Sequence, residues 1–499
     1  MSKLVMLSLG GSGERVMNSV VMLLAAGMRL QDSNGADMSL LPVFLDTDSK
    51  SHALTTAREK IQEYQKLQRM FSKISWGEKT LFRTKIEDAA EITIDGHTMG
   101  SLGALIDENN FDDDKKTELS MLYSKDALEV GLGMGFIGMP NLGTVALNFL
   151  LCSPEFKHIM DGLQDGDRIF FISSIFGGTG AAGFPLILNK LQDLEIIKKS
   201  DNQIALGSVT MLPYFDFTAE EPEGPNDIKG FTVNSDQFDS KSFAAFMYYD
   251  TNLDKNRVSS QYFIGNTDKS LYRKCLGGEK QVNPTNLLEV ACATSLFHFA
   301  KTAKPRNNDN KTISYYEYWS GKEDSHSYSL EDIDDPDVKK GLVRFQMFEY
   351  IMKKALKDYT TNNPAVVAAH YEFNDANCTT LMDKFTSFFE LYDKWRGELN
   401  SSAHKASMQF EYYRHDPSEN QYITDCFAPS ISTTHREGRI FTKMVTSEPD
   451  FLNKMSATMG NNQGRGWSAD KKERFTLHLV MTAIEKVLNQ TSPYQIVKL

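Results

Sequence analysis

Three things are scarce in this 499-residue chain, and each scarcity closes off a class of function. Cysteine is the first. Cys152, Cys275, Cys292, Cys378 and Cys426 are the whole supply, odd in number and with no close pair. They make neither a disulfide framework nor a zinc-binding run, which points to a reducing compartment and a cytoplasmic setting. Long apolar runs are the second. No stretch approaches the roughly 18 uninterrupted apolar residues of a spanning helix, and the start MSKLVMLSLGGSGERV has no cleavage pattern. No membrane span and no signal peptide are expected. Positive charge is the third. Lys and Arg number 54 against 66 Asp and Glu, a net charge of -12. A surface of that sign does not suit nonspecific binding to nucleic acid or anionic membrane. The ten histidines fall in no H-E-x-x-H or C-x-x-C-H spacing, so no metal-ligand set of the protein's own is expected. Ser8, Ser12 and Ser174 lack the G-x-S-x-G setting of a hydrolase nucleophile.

The chain does have a soluble balance, with 41% hydrophobic and 24% charged residues, and is too long for one ordinary core. Residues 3–9 (KLVMLSL) read as a short buried strand, broken by Gly10, Gly11 and Gly13 before an apolar periodic run from Val16 to Met28 that predicts a helix. A second strand, SLLPVFLD, ends at Asp46, and 57–73 suits an exposed helix. The polar stretch 76–118, with DENNFDDDKK inside it, reads as a surface insertion. Next come a glycine-dense loop at 131–143 leading into a helix, the strand DRIFFISSIF with the loop GGTGAAG and a further helix, and another buried strand, QIALGSVTML. An acidic loop at 216–227, the strand QYFIG and an apolar helix at 284–300 follow.

Strand, glycine loop and helix in repeated order predict an α/β fold, a mostly parallel Rossmann-like sheet with helices on its faces. Ligands on such sheets sit at the carboxyl ends of the strands. The polar stretch KPRNNDNK (304–311) marks the expected seam between a nucleotide-binding unit, 1–303, and a C-terminal unit, 304–499. Helical spacing at 338–359, 379–395 and 473–489 makes the second unit helix-rich. The aromatic run YYEYW (315–319) suits a core strand or sheet edge better than a partner site.

The chemistry lies in the glycine loops. In FFISSIFGGTGAAGFPLI a strand delivers Gly177, Gly178, Thr179 and Gly180 into a helix. Glycines let the backbone approach a ligand, and successive N–H groups at a helix start form an anion cradle. Thr179 adds a hydroxyl donor. The loop holding Gly10, Gly11, Ser12 and Gly13 makes a second cradle, and Gly131, Gly133, Gly135 and Gly138 a third. Each can also be read as a tight packing turn. No Lys or Arg lies inside the second and third glycine loops of the chain, so phosphate charge must meet backbone dipoles and a cation. Asp46 and Asp48 can orient Mg2+ through its waters, or merely cap the following helix.

Together these loops resemble the tubulin/FtsZ superfamily, nearer its bacterial FtsZ end. GGSGERVMN (10–18) resembles the first phosphate loop, FLDTDSKSHAL (44–54) the N-T-D-x-x-x-L stretch, and GLGMGFIGMPNLG (131–143) a G-L-G-x-G-x-x-P-x-x-G loop two residues longer. FGGTGAAGFPLI (176–187) resembles G-G-G-T-G-[ST]-G with Phe176 and Ala181 as departures. VTMLPYFDF (209–217), YFIGNTDKSLY (262–272) and NPTNLLEVACATSLF (283–297) follow in family order, so the resemblance covers about residues 1–310.

The resemblance implies a cytoskeletal GTP- or GDP-binding protein with Mg2+, a central helix, head-to-tail self-association into filaments, and GTPase chemistry completed across the subunit contact. It implies phosphate contacts from Gly10, Gly11, Ser12, Gly13, Gly133, Gly135, Gly177, Gly178, Thr179 and Gly180. Arg15, Asn18 and Asn286 would lie toward the base, although the family commonly has an amide where Arg15 stands, and an arginine has no acceptor. Asp216 and Glu220 would receive ribose hydroxyls, or simply belong to a solvated loop. The acid of the subunit contact would be Asp309, in Asn307-x-Asp309, with Thr312 where the family has a second acid. Hydrolysis is therefore expected to be slow or lost, and the C-terminal unit to offer a surface to a protein partner. The alternatives are a non-polymerising nucleotide-binding scaffold or sensor of this fold, and a Rossmann-type dinucleotide-dependent oxidoreductase.

Overall fold

The protein is seen here as a computed structural model. It describes residues 1–73, 80–92, 100–107, 110–136, 138–193, 204–218, 235–253, 258–275, 278–305, 313–320, 327–329, 332–356, 374–405, 407–409, 414–416, 421–423 and 466–490.

The centre is a seven-stranded sheet. Its strands are β1 (Lys3–Leu9), β2 (Ser39–Leu45), β3 (Ala90–Ile92), β4 (Arg168–Ser174), β5 (Ala205–Met211), β6 (Ser260–Asn266) and β7 (Ser314–Ser320). Their spatial order is β7-β6-β5-β4-β1-β2-β3, and every neighbouring pair is parallel. All of β4 and β5 is buried, as is β1 beyond its first residue. This is why KLVMLSL and RIFFISS read as continuous apolar runs: a strand covered on both faces has no polar side to alternate with. The strand order reverses between β1 and β4, which makes a crevice at their carboxyl ends.

The helices that frame this crevice are α1 (Gly10–Ala25), α2 (His52–Phe71), α3 (Pro140–Leu151), α4 (Gly178–Asp193), α5 (Phe238–Asn252) and α6 (Leu287–Thr302). Helix α1 packs against α2 and α6, and α4 against α3 and α5. Gly207 of β5 makes room for α6: a Cβ there would stand 2.4 Å from the Phe299 ring. Phe299 lies instead on Phe170, with ring centroids 4.9 Å apart.

Helix α1 begins at Gly10, directly after β1, and α4 at Gly178, past the short turn 175–177 that follows β4, both earlier than the apolar periodicity suggests. Glycine here starts the helix as well as ending the strand. The stretch 76–118 is no simple surface insertion. Leu81 and Phe82 within it are 0% exposed, and β3 joins the sheet beside β2. Its polar average concealed these few apolar anchors. The sheet also runs past the seam expected at 304–311, since β7 pairs with β6 as its edge, with Tyr315 and Tyr318 exposed.

The C-terminal part contributes α7 (Pro336–Tyr350), α8 (Asp375–Leu399) and α9 (Ala469–Gln490). Short strand pairs accompany them, one parallel (Ser327–Ser329 with Ser407–Gln409) and one antiparallel (Arg414–Asp416 with Gln421–Ile423). Trp395 of α8 donates its Nε1–H to Ser19 Oγ of α1 at 3.1 Å.

Candidate functional site

The three glycine loops meet at Thr179. Gly10 has φ +70°, and a Cβ on it would lie 2.9 Å from Thr179 Cβ. Thr179 Oγ1 donates to Asp46 Oδ1 at 3.3 Å, and a Cβ on Gly135 would stand 3.8 Å from the same oxygen. Gly178 faces the third loop so closely that a Cβ would meet Phe136 Cβ at 2.7 Å and Gly138 N at 3.3 Å. The ends of β1, β2 and β4 and the 131–143 loop thus share one crevice, at the reversal of strand order.

The glycines divide by duty. Gly13, Gly178 and Gly180 serve close packing: Cβ atoms on Gly13 and Gly180 would come within 2.8 Å of Ser8 Cα and 2.6 Å of Ser174 O. Gly177 is similarly tight, 2.8 Å from Ser174 Oγ. Gly11 and Gly133 face open space, with nothing within 4 Å of an added Cβ. Helix α1 has no side-chain cap and no acid in its first turn. Its first amide groups, beside Gly11 and the half-buried Ser12, carry the partial positive charge of a helix start without an anion of the protein's own.

Acids stand close behind. Asp46 Oδ1 accepts the N–H of Thr47 at 2.7 Å and of Asp48 at 3.4 Å, and Asp48 Oδ2 accepts the Gly278 N–H at 2.7 Å. Glu14 Oε2 accepts from Ser51 Oγ at 2.6 Å, while its Oε1, Ser8 Oγ and Thr47 Oγ1 have no partner among the described residues. Burial, and then the charge of Asp48, push the Asp46 carboxyl up to about 6. Burial and the charge of Asp46 push Glu14 well above the usual carboxylate range, and burial raises Asp48. Arg58, the nearby cation, is already paired with Glu91. Crowded together and buried, these three carboxyls hold their protons to higher pH than exposed acids do.

No group of three or more His, Cys, Asp and Glu side chains among the described residues is disposed to hold a metal alone.

The residues expected toward a base are spent internally. Arg15 donates to Glu289 Oε1 at 2.7 Å, to Asn283 O at 2.8 Å and to Pro284 O at 2.7 Å. Burial alone would lower its pKa, but Glu289, Tyr214 and Tyr272 more than offset this and hold it charged. Glu289 Oε1 also accepts from the Tyr214 hydroxyl at 3.2 Å. Asn286 is the N-cap of α6 in a capping box with Glu289, and its Nδ2 donates to Ser270 Oγ at 2.8 Å. Asn18 donates through Nδ2 to Glu14 O and Ala53 O, leaving its buried Oδ1 without a partner among the described residues.

Asp216 lies 3.8 Å from Lys269 Nζ, on the short half-buried strand Phe215–Phe217 that pairs with Ser270–Tyr272. Glu220 and Asp309 lie outside the described residues. Glu14, Ser51 and Glu289 were missed from sequence. Glu289 had a legible signal, the N-x-x-E spacing of a capping box after Asn286. Glu14 had only its place inside GGSGER.

No family model matches the chain, and no curated protein matches its sequence. Among solved structures it is similar to CetZ2 from Haloferax volcanii, described as a GTPγS-bound protofilament, with 12% identity and a TM-score of 0.29. The match covers 60% of this chain and 58% of that one, less than two thirds of the archaeal protein's length.

Proposed function

We propose that this chain is a tubulin/FtsZ-like subunit that binds GTP or GDP with Mg2+ and self-assembles head to tail, with slow or absent hydrolysis. The observation that carries the nucleotide part is the meeting of the three glycine loops at Thr179, beside an uncapped helix start. Open space at Gly11 and Gly133 leaves the cradle unplugged at those two points. In this reading the amide groups from Gly10 to Gly13 and the hydroxyl of Thr179 hold phosphate oxygens. Mg2+ held chiefly by the phosphate oxygens, with Asp46 and Asp48 just past β2 reached through its waters, would supply the positive charge that the loops lack. Assembly rests on the order of the sequence motifs, with Asp309 as the acid offered to the neighbouring subunit's nucleotide.

A dinucleotide oxidoreductase fits less well. The acid ending β2 in such enzymes reaches outward to a ribose. Here Asp46 turns back to Thr179 and the amides of Thr47 and Asp48.

The test is to identify nucleotide carried through purification, then to sediment the protein with and without GTP and Mg2+. A bound nucleoside di- or triphosphate, and pelleting that requires GTP and Mg2+, are expected. Binding without any change in size would leave the scaffold reading. Binding of NAD and not of GTP would overturn the assignment.

A further inference from the structure

A second cavity lies behind the phosphate cradle, between α3, α4 and α5. It has a volume of about 320 Å3, at the lower end of the range for small-molecule sites. Its floor is apolar, made by Phe176, Ala181 and Pro185, and its polar groups include Asn141, Asn189 and Lys241 beside the hydroxyls of Thr144, Tyr248 and Tyr249.

The floor is built rather than left over. Pro185 sits inside α4 and has no N–H to give to the carbonyl four residues back, that of Ala181. The Tyr249 hydroxyl of α5 supplies the missing donor, at 2.9 Å from Ala181 O. This bond ties α5 to α4 across one end of the cavity and keeps the buried carbonyl from being an unsatisfied group.

The cation beside this floor is only partly used. Lys241 donates to Gly138 O at 3.3 Å, and an ammonium has three hydrogens to give. Burial lowers its pKa, and an acidic partner beside it would oppose that shift by favouring the charged ammonium. The Asn141 and Asn189 side-chain amides make no hydrogen bond among the described residues.

We propose that this cavity binds a small amphipathic anion, its apolar body on Phe176, Ala181 and Pro185 and its acid group at Lys241. Nucleotide binding at the cradle is not required for it, so the two readings stand or fall separately. The occupant would nonetheless touch the Phe176–Gly177 turn that leads into Gly178 and Thr179, which makes the cavity a point from which the cradle can be influenced.

The probes are 4-phenylbutyrate and its neutral analogue 4-phenyl-1-butanol, titrated into the full chain by calorimetry and ligand-observed NMR. The acid should bind at least tenfold more tightly than the alcohol. Lys241→Met should bring the acid down to the alcohol's level, and Lys241→Arg should keep most of the difference. Ala244→Trp, at an exposed position on the cavity wall, should abolish binding of both without lowering the melting temperature. Equal affinity for acid and alcohol, no binding of the acid, or acid binding indifferent to Ala244→Trp would each overturn the proposal.

Discussion

Gly11 and Gly13 stand two residues apart and do opposite work. Gly13→Ala would drive a Cβ into the Ser8 backbone at 2.8 Å, where neither strand nor helix can give way cheaply. It should cost about 1–3 kcal/mol in denaturant unfolding, the usual price of overpacking. Gly11→Ala meets no atom, so stability should stay within roughly 0.5 kcal/mol or improve slightly from helix propensity. Its methyl group would instead occupy the phosphate approach, and calorimetry should find nucleotide affinity at least tenfold weaker. Equal affinities for Gly11→Ala and the wild type would remove Gly11 from the site.

Asp46 gives a pH signature at the same scale. Its folded pKa is raised to about 6, above the ordinary aspartate value of about 3.9. Across that window the folded chain keeps a proton that the unfolded chain releases. Stability should therefore fall as pH rises towards 6 and stay lower above it. Glu14 and Asp48 are raised as well and add in the same direction, and Arg58 is held by Glu91. Asp46→Asn keeps the acceptor for Thr47 and Thr179 while removing the charge. Thermal melts should show it more stable than the wild type above pH 6 and no more stable near pH 4. A variant melting below the wild type at pH 7.5 would contradict this account.

Among elements, the tie between α1 and α6 matters most. Arg15 and Glu289 are 13% and 1% exposed, so each is the other's main compensation in a nearly dry site. Arg15→Met should destabilise by about 3–5 kcal/mol, because the Glu289 charge is left buried and unpaired. Arg15→Met with Glu289→Leu should recover most of that loss. The same network bears on specificity. A site discriminates strongly when it offers buried donors and acceptors that only the right ligand satisfies. Arg15, Glu289 and Asn286 satisfy one another, which leaves Asn18 Oδ1 as an unspent acceptor on α1. GTP, ATP and inorganic triphosphate should therefore bind within about tenfold of each other. A hundredfold preference for GTP would show that the network opens to admit a base.

At the scale of the whole molecule, an aromatic seam joins the C-terminal helices to the sheet unit. Phe82 lies 5.1 Å from Phe388 and 6.0 Å from Phe345, ring centre to ring centre, and 5.2 Å from Phe71. Gly341 of α7 comes so near the end of α1 that a Cβ would stand 3.0 Å from Ala26 O. Packing of this closeness predicts one cooperative unfolding transition for both parts. Phe82→Ala should cost about 3–5 kcal/mol and lower the melting temperature of that single transition. Two separate transitions in calorimetry, only one of them moved by the substitution, would mean that the parts fold independently.

The sequence by itself determined the long buried strands, the parallel sheet and the three glycine loops, though not the short edge strand β3. Those follow from local rules: an apolar run has to be buried on both faces, and a chain without side chains can turn and approach an anion. It could not determine which glycines face a ligand and which merely let backbone touch backbone, because Gly11 and Gly13 differ only in what lies opposite them. Nor could it foresee that Arg15 would be consumed by Glu289, that Asp46 would turn back to Thr179, or that Phe82 would anchor a distant helix. Those outcomes depend on contacts between residues tens to hundreds of positions apart, and only the folded chain brings their charges and surfaces within reach of one another.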